Sequence, residues 1–472
     1  MDENVAISDS RSGASCGAAK LRYGVIIRQA DEAMNGAAGR IAALIFAAAL
    51  AAQDLPPGVL LLARAKSHMR EELQRITNVS CLETVERELQ LPGGKIGPLD
   101  TIRLEVVTNG QKELYASPGG RNFSEQHPIS YVASGTLGDG LFGPYLQTIL
   151  LNGAASNRYV GDEDIGGRRL ARYDYRLAPM WSGQTIQMPE GSGTVGLRGS
   201  YWIDPETFDV LRLELNADDI PPTLPLSELV TRIDYARTRL ANDLGLLLPQ
   251  AADFRFVKSS GEISHNRIEF THCRVFQADS TIDYSEPGSP SQPPRFGAIA
   301  LDDTLRTLPG GMQVAVKLRG RITGDMAVGT LIDGDVAGDV AAKRATLIPS
   351  GSPVRGRIRR MERYTDPFPY FVVGLEFTTV EIQGIRHLFY ADLVSIDPLP
   401  ALEANRLVIR NTTTRSELPV RGRTAPSSVT VQTGESLSFT NMPGVVTFIF
   451  KGPKLELPEG FRTVWKTRAL TP

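Results

Sequence analysis

Gly199-Ser200-Tyr201-Trp202-Ile203-Asp204-Pro205-Glu206-Thr207-Phe208-Asp209-Val210-Leu211-Arg212-Leu213-Glu214-Leu215 is the stretch that sets the fold class of this chain. An aromatic and β-branched run stops at Asp204-Pro205-Glu206-Thr207, and a second, alternating run begins. Asp followed by Pro suits a type I turn, because proline presets φ and the Asp side chain can accept a backbone hydrogen bond. In the second run Val210, Arg212 and Glu214 are expected to point one way and Leu211, Leu213 and Leu215 the other, the period-two mark of a strand with one buried face. The stretch therefore predicts a hairpin at the centre of a sheet.

Similar runs extend in both directions. Residues 56–76 predict a first helix: Pro56 and Pro57 suit its first turn, and Leu62, Ala65, Met69, Leu73 and Ile76 recur on one face. Val79 to Leu89 reads as a polar-rich strand. Thr101 to Thr108 and Gln111 to Ser117 flank Asn109-Gly110, a strong short hairpin signal. Asp139 to Leu151 predicts a second, short helix with Leu141, Tyr145, Ile149 and Leu150 apolar. Strands follow at Ala171 to Leu177, then as shorter pieces at Val230 to Ala236 and Asp253 to Val257, and a last one at Arg267 to Val275. Ser285 to Arg295 is a Pro/Ser/Gly linker. Beyond it Met312 to Leu318, Ala345 to Ser352, Val354 to Arg360, Phe371 to Val380 and His387 to Val394 are short strands between Gly-rich turns, the pattern of a small barrel or sandwich. Val445 to Phe450 and Phe461 to Trp465 add further strands.

The expected class is mainly β: an α+β first domain, built as an antiparallel half-barrel sheet with packed helices, followed by a small all-β barrel. The expected boundaries are 1–52 for an N-terminal extension and secretory signal, 56–284 for the half-barrel, 285–295 for the linker and 296–400 for the barrel. Residues 401–472 either complete the barrel or form a small third unit.

The 472 residues carry 42% apolar and 22% charged residues with a net charge of −2, which exerts no long-range pull on nucleic acid or an anionic membrane. Ile41 to Ala52 is an unbroken apolar run preceded by Arg40. It is shorter than the ~20 residues that span a bilayer and is flanked as a secretory core, with cleavage expected after Ala51 or Ala52. Met34 is the expected true start. Export to the periplasm or exterior, with no integral membrane segment left after cleavage, is the resulting expectation. Of three cysteines, Cys16 precedes the signal; Cys81 and Cys273 remain. In an oxidising compartment they make one disulfide, or else stay as two buried thiols.

The first half resembles the lipoprotein-carrier (LolA-like) half-barrel family. The amphipathic first helix and Tyr201-Trp202-Ile203-Asp204-Pro205-Glu206-Thr207 carry the likeness, over roughly residues 57–280. It implies a curved antiparallel sheet around helices, with an apolar concavity able to take acyl chains. The polar insert Val160 to Arg169 and the Cys81/Cys273 pair depart from that pattern. The second half is similar to the C-terminal β-barrel of conjugal-transfer (TrbI-like) channel proteins. Leu308-Pro309-Gly310-Gly311 and Leu347-Ile348-Pro349-Ser350-Gly351-Ser352-Pro353-Val354-Arg355-Gly356 carry that likeness, over about 300–395. With no membrane-crossing antenna helix, it implies a soluble barrel that docks an envelope partner.

Reactive motifs are few. Gly191, Gly193 and Gly196 form G-x-G-x-x-G but lead into a strand instead of a helix, so no dinucleotide loop is expected. Asp162-Glu163-Asp164 and Asp333, Asp335 and Asp339 are carboxylate groups read as loops, either solvated or oxygen-rich enough for Ca²⁺. His68, His127, His265, His272 and His387 form no zinc-ligand spacing. His272 beside Cys273 marks either a reactive thiol or a disulfide half. No G-x-S-x-G and no P-loop occurs, so neither enzyme activity, metal nor cofactor is expected. Arg355, Arg357 and Arg359 alternate on one strand face, where they would meet phosphate, lipid headgroup or an acidic partner, or simply water. Tyr175, Tyr201, Trp202 and Leu213 are the expected ligand-cavity residues, unless they only fill the core. The expected ligand is a lipid or lipoprotein, and the alternative is an assembly scaffold whose cavity is filled by its own side chains.

Overall fold

The Asp204 side chain organises the turn that the sequence singled out. Its Oδ1 accepts the backbone N–H groups of Glu206 at 2.9 Å and Thr207 at 3.3 Å, and its backbone closes the loop through Asp204 N to Asp209 O at 2.9 Å. Phe208 takes up the positive φ, 64°, that lets the chain reverse. One expectation is corrected here. A bulge between Val210 and Arg212 shifts the alternation by one residue. Val210 therefore pairs with Ile203 and is buried with Leu213 and Leu215, instead of pointing outward with Arg212.

In this computed structural model the described residues are 56–275 apart from 77–78, 109–111, 121–122, 125–127, 133, 189 and 241–244; 306–396 apart from 343–344 and 367; and 408–409, 430–433 and 445–469. The expected signal, the linker, the Asn109-Gly110 turn, His127 and most of 401–444 lie outside them. The residues from Leu61 onward form one compact unit.

The first helix, α1, spans Pro57–Arg75. It buries Ala65, Met69 and Leu73, followed by Ile76, the stripe read from the sequence. The strands of the first half are β1 (Val79–Gln90), β2 (Gly97–Thr108), β3 (Glu113–Ala116), β4 (Thr136–Leu137), β5 (Ser156–Ile165), β6 (Arg168–Leu177), β7 (Thr185–Met188), β8 (Gly191–Thr194), β9 (Gly196–Ile203), β10 (Val210–Asp218), β11 (Leu226–Arg239), β12 (Gly245–Lys258) and β13 (Ile263–Val275). Ten of them form one antiparallel sheet in the order β3-β2-β1-β13-β12-β11-β10-β9-β6-β5. The opening hairpin, β9–β10, thus lies inside the sheet, displaced from its centre toward the β5 edge. β11 and β12 are 14-residue strands, twice and nearly three times the predicted lengths, because a bulge that leaves Gln250 unpaired between Asp234–Ala251 and Tyr235–Pro249 lets pairing continue past Pro249 through Leu246-Leu247-Leu248. Cys81 and Cys273 are bonded, joining neighbours in the sheet from opposite ends of the first half.

Asp139 to Leu151 is less helical than predicted. A single turn, α2 (Pro144–Leu146), runs into a π turn at Gln147–Leu151, but Leu141, Phe142, Tyr145, Leu146, Ile149 and Leu150 are all buried. A further short turn, α3, spans Pro179–Ser182. The 160–169 insert is no loop: it is the turn end of the β5–β6 hairpin, reversing at Gly166-Gly167, where both residues have positive φ.

The second half contributes β14 (Arg306–Thr307), β15 (Gln313–Leu318), β16 (Ile322–Thr323), β17 (Leu331–Val336), β18 (Val340–Ala342), β19 (Ala345–Ile348), β20 (Pro353–Tyr364), β21 (Tyr370–Ile382), β22 (Ile385–Leu388), β23 (Ala391–Ile396), β24 (Val408–Ile409), β25 (Thr430–Thr433), β26 (Val446–Lys451), β27 (Glu456–Leu457) and β28 (Arg462–Thr467). The second sheet runs β14-β22-β21-β20-β17-β15-β28-β23, with β26 on β21 and β24 on β26. β28 lies between β15 and β23, so the last described strand is interior to the sheet. The chain is mainly β, with a curled first sheet and few helices.

The halves meet along β2 and β20. Arg103 N donates to Val328 O at 3.0 Å, and Val328 N to Thr101 O at 2.8 Å. Gly329 has φ 94°, and a Cβ there would lie 2.7 Å from Arg103 O, so the close approach requires glycine. The apolar residues of both sheets form one contiguous cluster, and a smaller one of Leu89, Leu99, Tyr364, Tyr370 and Val372 sits at the seam.

Candidate functional site

Strand alternation carries Tyr173, Tyr201 and Leu213 opposite one another on β6, β9 and β10, facing inward with Ile233, Phe254 and Phe270. The Tyr173 and Tyr201 rings stack with centroids 5.5 Å apart, and Tyr175 lies 6.0 Å from Tyr201. Tyr175 faces Gly199 across the ladder. The hydroxyls find partners: Tyr201 donates to Asn157 Oδ1 at 2.8 Å and Tyr175 to Glu214 O at 3.1 Å. Burial raises both phenols above their ordinary value, with Tyr173 beside Tyr201 and Tyr201 beside Tyr175 adding to it. Three of the four expected cavity residues are thus brought together. Trp202 is not among them. As the neighbour of Tyr201 it points to the opposite face, where its indole N–H donates to Glu163 Oε2 at 2.8 Å and the Arg172 guanidinium stacks 5.5 Å above it.

Two segments cover the concave lining: the buried stripe of α1, and residues 141–151. The cover is held at the rim by ions. His68 Nε2 lies 2.8 Å from Asp209 Oδ1; Arg237 donates to Asp209 at 2.7 and 2.9 Å and to Glu72 at 3.3 Å. Asp209, the last residue of the opening turn, is therefore the anchor for helix α1.

Inside, the inward face of β1 reads Val79, Cys81, Glu83, Val85, Arg87, Leu89, all buried. Two polar residues interrupt it, and that interruption was the signal in the sequence for a buried polar centre. Near Glu83, Glu113 accepts from Tyr115 Oη at 2.6 Å and from the N–H groups of Gly140 and Phe142 at 2.6 and 2.8 Å, which fixes the start of the 141–151 cover. Burial first, then Glu113 and Asp139, raise the Glu83 carboxyl well above its ordinary value of 4.5. The folded chain thus holds a proton that the unfolded chain releases. The stability this provides is complete below the unfolded pKa and is lost as pH rises toward the folded one. Glu83→Gln, which keeps the shape of the neutral acid, is expected to flatten the decline of the melting temperature with rising pH. An unchanged pH profile would show that the carboxyl is already ionised in the fold.

Arg87 sits at the seam. Its guanidinium forks onto Asp100, with Nε to Oδ1 at 2.7 Å and Nη2 to Oδ2 at 2.6 Å, and its Nη1 donates to Ser134 O. Ser134 Oγ donates to Glu362 Oε1 at 2.7 Å, and Glu362 also accepts from Tyr364 Oη at 2.9 Å and Arg360 Nη2 at 2.6 Å. Burial opposes charge on Arg87, but Asp100 outweighs it and holds the guanidinium above its ordinary pKa.

Beside this network lies a cleft of about 560 Å³ between the two sheets. Its floor includes Leu99, Met361, Phe371 and Leu455, all buried. Its rim is charged.

The basic strand is used differently from its reading as a partner patch. Arg357 Nη1 donates to Pro118 O at 2.7 Å and Gly329 O at 3.1 Å, tying the halves together. Arg359 pairs with Glu376 at 3.1 Å and stacks on Tyr131. Arg355 alone of the three is exposed. Most of the carboxylate residues are not in loops either: Asp162, Glu163 and Asp164 lie on β5, the first two bound by Arg169 and Arg172, and Asp333 and Asp335 lie on β17, the latter paired with Arg319, while Asp339 sits between β17 and β18 and accepts from Ser350 N. His272 contacts Thr271, and its neighbour Cys273 is a disulfide half.

Among the described residues no group of three or more His, Cys, Asp and Glu is placed to hold a metal ion, and no helix is long and apolar enough to cross a membrane. No protein-family model matches the chain, and no curated protein matches it. Among solved structures, it is similar to a LolA superfamily protein from Nitrosomonas europaea, at 11% identity over 45% of this chain and 94% of that one, TM-score 0.22. It is also similar to a putative outer membrane lipoprotein-sorting protein domain from Vibrio parahaemolyticus (11% identity, 46% and 95%, TM-score 0.24). A third is ComB10 of the Com type IV secretion system of Helicobacter pylori (11% identity, 35% and 90%, TM-score 0.19).

Proposed function

We propose that this chain is an exported, non-catalytic cell-envelope protein that holds an apolar ligand or the lipid-modified part of a partner against the concave face of its first sheet. The second sheet is its docking half. In this reading residues 1–52 are an N-terminal extension and export signal, 56–284 and 296–400 are the two domains, and 285–295 joins them. One observation carries it: Tyr175, Tyr201, Leu213, Ile233, Phe254 and Phe270 give the concave face a buried apolar lining, interrupted on β1 by Glu83 and Arg87, which packs under α1 and residues 141–151. The rim contacts that hold α1 are side-chain ion pairs whose cations, His68 and Arg237, are partly open to water, while the carboxylates of Asp209 and Glu72 are buried. An acyl chain that displaced the cover would meet Tyr175, Tyr201 and Leu213.

A second reading is an assembly scaffold. The near-complete burial of that lining favours it, with Tyr201, Leu213 and Ile233 each at 1% exposure or less, because a close-packed interior leaves no room for a guest. Native mass spectrometry of the mature chain, gently extracted from its own host, separates the two. Retained lipid mass, lost on delipidation and regained on incubation with lipid, is the result expected of a carrier. A bare chain that takes up none leaves the scaffold. Amino-terminal sequencing of the same material is expected to begin just after Ala51 or Ala52.

A further inference from the structure

We infer that the turn α3 seats the protein on a lipid bilayer, with Met180 and Trp181 entering the headgroup layer. Met180 is 78% and Trp181 57% exposed, and two large apolar side chains side by side in water call for a reason that scattered single ones do not. Buried contacts hold them out. Pro179 opens the turn and Gly183, at φ 61°, closes it. Trp181 N and Ser182 N both donate to Ala178 O, at 3.0 and 3.1 Å. The buried Ser182 donates from Oγ to Val195 O at 2.5 Å and accepts from Gln184 N at 3.1 Å. The turn is thus fixed from below, and covering its outward side chains requires no further ordering of the backbone.

The surroundings select a bilayer as the partner. α3 packs against β8, β9 and the turn at Gln147–Leu151. Residues 140–157, 177–189 and 191–197 supply α3, that turn, β8 and the start of β9, and they contain no Asp, Glu, Lys or Arg, in a chain where 22% of residues are charged. Glu190 sits at the far tip of the β7–β8 hairpin, whose base, Thr185 paired with Thr194, follows the turn. Arg176 and Arg198, the next charges along the chain, both face Asp218, at 2.7 and 3.9 Å. The collar is therefore neutral, with Asn152, Ser192 and Thr194 exposed on it. It meets a zwitterionic headgroup layer without bringing an ion toward hydrocarbon, where charge is costly. The Trp181 indole N–H has no hydrogen-bond partner among the described residues, which leaves it for a lipid carbonyl or phosphate oxygen, the usual place of tryptophan at a membrane interface. Asn152 Nδ2 donates to Trp181 O at 3.3 Å, so seating the turn brings the end of the 141–151 cover to the membrane surface.

Flotation of the full mature chain with phosphatidylcholine vesicles tests the assignment. Two side chains bury less apolar area than a myristoyl chain, which alone binds at ~10⁴ M⁻¹, so weak, reversible binding at millimolar lipid is expected. It should persist when salt is raised from about 0.1 to about 1 M, where attraction between charges is screened. Trp202 and Trp465 are 5% and 1% exposed, so a change in tryptophan emission on mixing reports Trp181. The expected change is a shift to the blue, with stronger quenching by lipid brominated near the headgroup than by lipid brominated at the chain end. Trp181→Ala and Met180→Ala should each lower the partition coefficient about tenfold, with the melting temperature unchanged because both side chains stand in water. No flotation at millimolar lipid, flotation abolished by salt, or variants that float as the parent does would each overturn the proposal. A chain that keeps lipid mass on its concave face but does not float overturns this site alone and leaves the carrier reading standing. A bare chain that floats supports the site without that reading.

Discussion

Arg87→Met will cost the folded protein about 3–5 kcal/mol, the loss expected when one partner of a buried ion pair is removed and the other is left charged or forced to neutralise. The side chains of Arg87 and Asp100 are 1% and 2% exposed, so water cannot replace the guanidinium. Asp100 would lose both charge-assisted hydrogen bonds, and Ser134 O would lose its donor. The companion variant is more informative. Arg87→Met combined with Asp100→Leu removes both charges and fills the space, and it should recover most of the loss, because burying a well-formed pair gains little over apolar packing. Urea unfolding of the parent, the two single variants and the double closes the cycle, with a coupling of at least about 2 kcal/mol expected for groups in direct contact. A single-variant loss under about 1 kcal/mol would mean that water reaches the pair. The network continues through Ser134 to Glu362 in the second half. A loss at Arg87 should therefore be sensed by both Trp202 and Trp465, which lie in different sheets, at the same urea concentration.

Removing the disulfide is the second large effect. Cys81→Ala with Cys273→Ala is expected to destabilise the protein by roughly 5 kcal/mol on the chain-entropy view, because the bond closes a loop of 192 residues in sequence separation. β1 and β13 are already neighbours through a long ladder, from Leu82–Thr271 to Gln90–Ile263. The folded sheet therefore holds its register without the bond, whose main action is on the unfolded chain. The expected signature is a lower unfolding midpoint with near-parental sheet content by circular dichroism. Each single variant should match the double, and the parent in reductant should match all three. A reductant-insensitive midpoint would show that the unfolded chain gains nothing from the crosslink. For a domain whose net stability is about 5–15 kcal/mol, either of these two changes consumes a large share.

The hairpin at Gly199 to Leu215 was legible because its signals are local: a turn residue that bonds nearby backbone, and alternation over the six residues Val210 to Leu215. The same locality explains the misses. Val210 faces inward because of a bulge set by pairing with Ile203, a partner outside its own run. The 160–169 segment looked like an insert because its strand is an outer one, where charged side chains are tolerated and find partners on β6. β11 and β12 were cut short because Pro249 reads as a breaker unless the bulge beside it, at Gln250, is known. At the candidate site, Tyr175, Tyr201 and Leu213 were legible as inward positions of strands. Trp202 could have been excluded by the same alternation, since it adjoins Tyr201.

The amino-acid sequence by itself determined the mainly β class, the helix stripe from Ala65 to Ile76, the turn at Asp204 and the two cysteines available to pair. Each follows from periodicity or chemistry within a few residues. Only the tertiary structure decided that Arg357 ties one half to the other instead of meeting a partner, that Arg87 and Glu362 share one buried network 275 positions apart in the chain, and that the described cleft lies between the sheets. These depend on which strand faces which. That is settled by burying apolar area over the whole chain, and no short window of sequence contains it.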